Sequence, residues 1–310
     1  MRRRNGAAGN TDRQMTKAPM FSVVIPTYNR AAFVSRAVMS VLEQNLSGFE
    51  VIVVDDGSTD DTAEVIGRID DPRVIYLQKG NEERAAARNA GARIARGRYV
   101  TFLDSDDQVY PDHLQTALEV TATLDHPAIF HLGYEVVNDA ESTSRQIDFL
   151  PCEANDLLLT GNYLSCNGVF LRKDVADEFP FNTDRELSAT EDYELWLRLA
   201  SRFQIYCDNR ITSAIYQHAA RSVVQTDRRK LEKRIELLER YVLGDERFVE
   251  RFKGRIPEFQ ASNRLYIALH LALGKSDRVG GIAYLAKALG YSPLALHQRA
   301  FYGTLKRLFI

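Results

Sequence analysis

Residues 99–107 read YVTFLDSDD, and this stretch decides the fold. Tyr99 to Leu103 does not alternate polar with apolar side chains, which implies a strand covered on both faces. The acids Asp104, Asp106 and Asp107 follow at once. Upstream, the apolar runs Phe21 to Ile25, Val51 to Val54 and Val74 to Leu77 repeat the arrangement. Between the first two, Phe33, Val34, Ala37, Val38, Val41 and Leu42 recur at helical spacing. Asp60 to Ile69 opens with acids suited to a helix N-terminus. A third helix is predicted from about Asn81, with Asn81 as its N-cap, Glu82 and Glu83 complementing the dipole and Gly97 ending it. It carries Arg84 and Arg88 on one face. Strands alternating with helices predict an α/β fold whose central sheet is mostly parallel and flanked by helices.

Downstream the pattern loosens. A helix is predicted after Pro111 to about Leu124, a strand near Ala128 to Val137, an apolar run near Gly168 to Leu171 and a helix from about Thr190 to Ser201. From Asp227 to Ile310 the sequence is helical and charged, with breaks expected near Gly254, Pro257, Gly274, Gly280 and Gly290. The expected organisation is a flexible basic tail over 1–20, an α/β domain over 21–226 and a C-terminal helical appendage over 227–310.

Composition narrows the function classes. The chain has 310 residues, 45% of them hydrophobic, enough for a large core. A net charge of −2 gives no reason to expect nucleic acid as a partner, because that binding neutralises many phosphates. Cys152, Cys166 and Cys207 are odd in number and lack CxxC spacing, so no disulfide framework or zinc site is expected. No run of about 18 apolar residues appears, and the first twenty lack the apolar stretch of a secretory signal. A cytoplasmic location, with contact at a membrane surface left open, is expected.

Four polar clusters lie near predicted strand ends or helix starts, and open α/β sheets bind ligands at the C-terminal ends of their strands. Pro26, Thr27, Tyr28 and Asn29 close the first strand with a turn and a flat aromatic surface; the same residues also make an ordinary turn. Asp55 and Asp56, followed by Gly57, Ser58 and Thr59, suit hydrogen bonds from a base or ribose, and equally a helix N-cap. No GxGxxG follows the first strand, so a dinucleotide fingerprint is excluded. At 104–107, two like charges about 4 Å apart repel by about 4 kcal/mol at an effective dielectric of 20. A divalent cation removes that conflict, and oxygen-only ligands suit Mg²⁺ or Mn²⁺. Glu191 and Asp192 open the helix EDYELWLRLA, where Ser188 and Glu191 also fit a capping box. That position keeps Asp192 ionised and able to act as a general base.

Taken in order, IPTYNR (25–30), VVDDGSTDDT (53–62), AARNAG (86–91), FLDSDD (102–107) and ED (191–192) resemble the family 2 glycosyltransferases of the GT-A fold over residues 21–222. The resemblance implies an inverting transferase with a nucleotide-sugar donor, UDP by family weight, and a divalent metal. It places Pro26, Thr27, Tyr28, Asn29, Asp56, Arg88 and Asp104 at the nucleotide. Asp106, with Asp104 beside it, becomes the metal ligand, Asp107 a supporting residue and Asp192 the general base with Glu191 adjacent. His218, in YQHAARS, stands where relatives carry a metal- or diphosphate-facing histidine, although Gln217 replaces the arginine expected there. No QxxRW follows ED, so transfer of one sugar at a time is implied. The acceptor would be a saccharide or a lipid-linked molecule.

Two other classes compete with this reading. A sugar nucleotidyltransferase would need a Gly-rich basic loop after the first strand, which IPTYNR lacks; a non-catalytic sugar-nucleotide sensor or scaffold would not need both acidic motifs. At the C-terminus, HQRAFYGTLKRLFI mixes Phe301, Tyr302, Leu305, Leu308 and Phe309 with Arg299, Lys306 and Arg307. An interfacial membrane helix and a packed terminal helix share that pattern.

Overall fold

The computed structural model describes residues 18–138, 143–147, 149–217, 227–273 and 277–309. The first half alternates as the sequence predicts: β1 (Phe21–Thr27), α1 (Ala31–Leu42), β2 (Phe49–Asp55), α2 (Thr62–Gly67), β3 (Val74–Gln78), α3 (Glu83–Ile94) and β4 (Tyr99–Phe102). There follow β5 (Gln108–Val109), α4 (His113–Thr123), β6 (Ile129–Asn138), β7 (Thr143–Gln146), β8 (Val169–Arg172), α5 (Lys173–Glu178), α6 (Glu191–Ala200) and β9 (Ile205–Gln217). The helical region is α7 (Arg228–Leu243), α8 (Glu246–Phe252), α9 (Ile256–Leu273), α10 (Arg278–Tyr291) and α11 (Arg299–Phe309). Gly280 and Gly290 lie inside α10 rather than breaking it, because helix packing outweighs a glycine's modest propensity cost.

One sheet runs β3-β2-β1-β4-β8-β6-β9-β5, with β7 paired to β6. The β3-β2-β1-β4 half is wholly parallel. Beyond β4 the pairing is mixed: β8 is antiparallel to β4 and β6, while β9 runs parallel to β6 and antiparallel to β5. Every residue of β1, β2 and β4 is buried, as non-alternating runs require. The loop after β4 and the stretch before α6 share a cleft with Pro26 and Thr27 at the C-terminal end of β1.

Two cores cover the sheet. On one face α1, α2 and α4 pack around Val34, Val38, Ile66 and Leu114. On the other, α3, α5 and α6 share one hydrophobic cluster with α7 to α11, which joins Val24, Val54, Trp196 and Leu197 to Leu231, Phe259, Ala268, Leu285 and Leu308. Gly91 lets α3 sit directly on the sheet, since a Cβ there would come within 2.4 Å of Val24. The apolar stripe of α11 turns inward: Phe301, Thr304 and Leu308 are buried and Leu305 packs against the cluster, leaving Tyr302 exposed. No described helix is long and apolar enough to cross a membrane.

Candidate active site

The cleft at the strand ends is lined by Pro26, Thr27, Tyr28, Arg30, Asp56, Asn81, Glu83, Arg84, Ala87, Asp104, Ser105, Asp106 and Ser188, with a volume of about 530 Å³. Tyr28 is 47% exposed, so its ring is available to a ligand. Asn29 sits beside the cleft in the left-handed region at φ 50°, and its amide oxygen accepts from the Thr59 N–H at 2.8 Å. That contact locks the turn after β1 to the loop after β2. Two further non-glycine residues with positive φ border the site, Glu83 at 76° and Ala189 at 74°. Such backbone strain tends to collect where function constrains a chain.

The loop after β2 spends its acids on architecture. Asp55 accepts from the Tyr76 hydroxyl at 2.6 Å and the Ser58 N–H at 2.8 Å. Asp56 accepts from Lys79 Nζ at 2.8 Å and the Glu83 N–H at 2.8 Å, with the Glu82 N–H at 3.1 Å. Asp56 therefore caps α3 from a distant loop, the task expected of Asn81. Gly57 permits this approach at φ +83°, where a Cβ would stand 3.1 Å from the Asn81 nitrogen. Asp56 still forms part of the cleft wall.

The loop after β4 is fixed from two sides. Its own turn closes through the Asp107 N–H and the Asp104 carbonyl, 2.9 Å apart. Buried Asp107 accepts from the Tyr216 N–H of β9 at 2.9 Å. Arg36 lies 4.5 Å over the Tyr216 ring and donates to the Asp106 carbonyl at 3.4 Å. This leaves the Asp104 and Asp106 side chains in the cleft wall. His218, next after β9, lies outside the described residues. Among the described residues no three His, Cys, Asp or Glu side chains are grouped to hold a metal. A one- or two-carboxylate anchor fits an ion that takes its remaining ligands from phosphate and water.

Arg88 is 1% exposed, and it joins the two acidic motifs. One guanidinium nitrogen donates to Asp104 Oδ1 at 2.7 Å and another to Glu191 Oε1 at 2.9 Å. Its plane lies 5.3 Å from the Phe181 ring centroid. Arg84 approaches Glu191 at 3.9 Å. Glu191 therefore turns to Arg88, and Thr190, not Ser188, takes the N-cap position of α6 with no side-chain cap. The capping box expected of Ser188 and Glu191 does not form, because Glu191 is held by Arg88 and the Ser188 N–H already donates to the Arg185 carbonyl at 3.2 Å.

Asp192 lies beyond that bridge. It accepts from Asn162 Nδ2 at 3.1 Å, with the Cys166 thiol at 4.0 Å. Burial, and then the adjacent Glu191 charge, push its carboxyl up to about 6; Arg88, the Tyr193 N–H and Asn162 oppose this. The helix start was expected to keep Asp192 ionised; desolvation and a like charge raise its carboxyl, which at about 6 still loses its proton by neutral pH. Asn162 and Cys166 carry no sequence signal for this contact, since a loop some 30 residues upstream delivers them. Arg88 was singled out only through the resemblance; its burial follows from the small residues Ala85, Ala87 and Gly91 that seat α3 on the sheet.

The sequence profile described as Glycosyl transferase family 2 matches residues 22–174. A glycosyltransferase of Haemophilus influenzae, itself uncharacterized, is 31% identical over 217 residues, covering 67% of this chain and 79% of that protein. The chain belongs to glycosyltransferase family 2. Against two uncharacterized Rickettsia glycosyltransferases, from R. conorii and R. felis, it is 40% identical over 134 residues and spans 22% of their length, or 43% of its own. Two solved structures share the fold. TarS of S. aureus, in complex with UDP-GlcNAc, superposes with a TM-score of 0.61 at 18% identity, covering 86% of this chain and 90% of that one. A mannosyltransferase of Pyrobaculum calidifontis, in complex with GDP-Man and Mn²⁺, gives 0.58 at 18% identity, covering 95% and 88%. The fold is thus GT-A, as the motifs imply.

Proposed function

We propose that this family 2 member transfers one sugar, with inversion, from a nucleotide-sugar donor in the cleft to an acceptor hydroxyl at Asp192. The observation that carries the reading is the buried Arg88 bridge. It fastens an acid of the cleft wall to the acid beside Asp192, so a donor in the cleft and a base outside it keep a fixed relation. Effective catalysis needs that fixed geometry. Tyr28, Pro26 and Thr27 offer the base a wall, and Arg84 and Arg30 bring positive charge to the phosphates. Residues Asp106 and Asp104 would hold a divalent ion, Mg²⁺ or Mn²⁺, which when bound stabilises charge on the departing diphosphate. His218 is a further candidate for that ion.

Asp192 removes the acceptor proton as the acceptor oxygen attacks the anomeric carbon from the face opposite the nucleotide. A carboxyl raised to about 6 is both ionised at neutral pH and more basic than an ordinary aspartate, which suits the task. UDP is the preferred donor nucleotide; support comes from the motif set. The acceptor would be a saccharide or a lipid-linked molecule, and the protein would work in the cytoplasm. Of the apolar residues of α11, Phe301, Leu305 and Leu308 face the core, which favours a packed terminal helix over membrane contact.

The test is Asp192→Asn, followed by nucleotide release with a panel of nucleotide sugars and acceptors, and by a thermal melt. We expect transfer to fall by about 10³-fold or more while the fold persists, the upper range for loss of a general base. Undiminished transfer removes Asp192 from the mechanism. A wild-type protein that binds nucleotide sugars yet transfers to no acceptor or water supports the sensor reading instead.

A further inference from the structure

The helix α10 is apolar on both sides. Gly280, Gly281, Tyr284, Leu285 and Ala288 are buried, and through them α10 packs on α9. Val279, Ile282, Ala283, Ala286 and Gly290 are exposed, and their helical spacing sets them in one stripe along the opposite side. Val279 is 80% and Ile282 47% exposed, and the 293–297 turn that packs on α10 adds Leu294 at 56%. Arg278 and Lys287, both exposed, stand at the two edges of the stripe. Lys287 Nζ lies 4.5 Å over the Tyr284 ring. The outward side of α7 is different: Arg229, Lys230, Lys233, Glu236 and Arg240 meet the solvent there. A helix that is apolar all round is normally enclosed, and a continuous exposed apolar stripe marks an interaction surface.

Charge decides what can cover it. From Arg278 to Ile310 the sequence holds five cations, Arg278, Lys287, Arg299, Lys306 and Arg307, and no acid, in a chain of net charge −2. Asp277, which precedes α10, is paired with Arg228. A second copy docked by the same face about a two-fold axis would set like charges against each other. Residues 1–17 carry five cations and one acid, so they do not complement the face either. Anionic lipid headgroups do. Apolar side chains edged by Arg and Lys enter the headgroup boundary while the cations meet phosphate.

We propose that the outer face of α10, with the 293–297 turn, is a docking surface for an anionic membrane, on which the protein rests without a helix crossing the bilayer. This surface is distinct from the apolar side of α11, which is turned into the core. It also stands apart from the transfer reading, since no residue of the cleft and no partner of Asp192 takes part.

The experiment follows co-sedimentation of the full chain with phosphatidylcholine vesicles, with and without phosphatidylglycerol. The wild type should bind the anionic vesicles about tenfold more tightly than the neutral ones, and added salt should release it. The double variant Val279→Ser and Ile282→Ser should weaken that binding by about tenfold or more. A second pair, Arg278→Gln and Lys287→Gln, should weaken it by about fivefold per charge and flatten the salt dependence. All four positions are exposed, so thermal melts of both variants should match the wild type and separate lost docking from lost fold. Failure of the wild type to bind anionic vesicles, or undiminished binding by both variants, overturns the surface. A concentration-dependent dimer in light scattering that the serine variant dissolves gives the face to a second copy and overturns it as well.

Discussion

The loop after β2 and the pair of loops that meet at Arg88 use the same residue type at similar places in the fold, to different ends. At 55–60 each carboxylate is matched inside the protein: Asp55 by Tyr76 and Ser58, Asp56 by Lys79 and the start of α3, Asp60 by Thr62 and Ala31. At the second region Asp104 and Glu191 converge on one guanidinium, Glu191 Oε2 is buried without a hydrogen bond, and Asp192 is pushed toward neutrality. Acids saturated by donors hold a fold together. Acids crowded around a shared cation hold free energy that a ligand or a proton can release.

The contrast can be broken most forcefully at Arg88. Arg88→Ala leaves Glu191 and Asp104 without their buried partner and should cost about 3–5 kcal/mol in chemical denaturation, with transfer lost. A loss below about 1 kcal/mol would show that the bridge does not organise the site. Asp56→Ala removes a cap and the Lys79 pair, and should cost about 1–3 kcal/mol, equally with and without donor. A cost that appears only with nucleotide bound would move Asp56 to the reactive class.

Two smaller effects depend on pH. Asp192 binds its proton more tightly folded than unfolded, so ionising it between the ordinary aspartate value and about 6 lowers stability as pH rises. Asp192→Asn should therefore melt no lower than the wild type at neutral pH, and wild-type kcat/KM should fall about tenfold per unit below pH 6. A flat acid limb would exclude Asp192 as the titrating base. His113 and His131 act in the opposite sense. Burial first, and for His113 the neighbouring His131 as well, lower these imidazoles to about 3. The unfolded chain takes up their protons first, so this stability is present above about 6.5 and is lost as pH falls toward 3. His131→Gln should flatten that loss in pH-dependent melts.

The four parallel strands and their helices were legible because burial on both faces leaves long non-alternating runs that few other environments produce. The second half was less so. Within β9, Asp208 and Arg210 interrupt the strand pattern, and its pairing with β6 slips at Leu132 to Tyr134, where Gly133 meets the Arg210 carbonyl closely. Such a bulge erases a period of two. In the site, the residue types near each strand end were readable, but their division between cap and reactive acid was not. Asp56 and Asp104 look alike in sequence; only the third dimension supplies Lys79 to one and Arg88 to the other.

The hydrophobic cluster that α3 and α6 share with α7 to α11 has a consequence for the protein's birth. The parallel strands leave the ribosome before the helices that cover Trp196 and Leu197. Until α7 to α9 arrive, the flank of the helix that bears Asp192 is open to water and to wrong partners. A nascent chain can thus complete the parallel half of the sheet before the flank of α6 is covered, which makes α7 to α11 late partners in the assembly of this core.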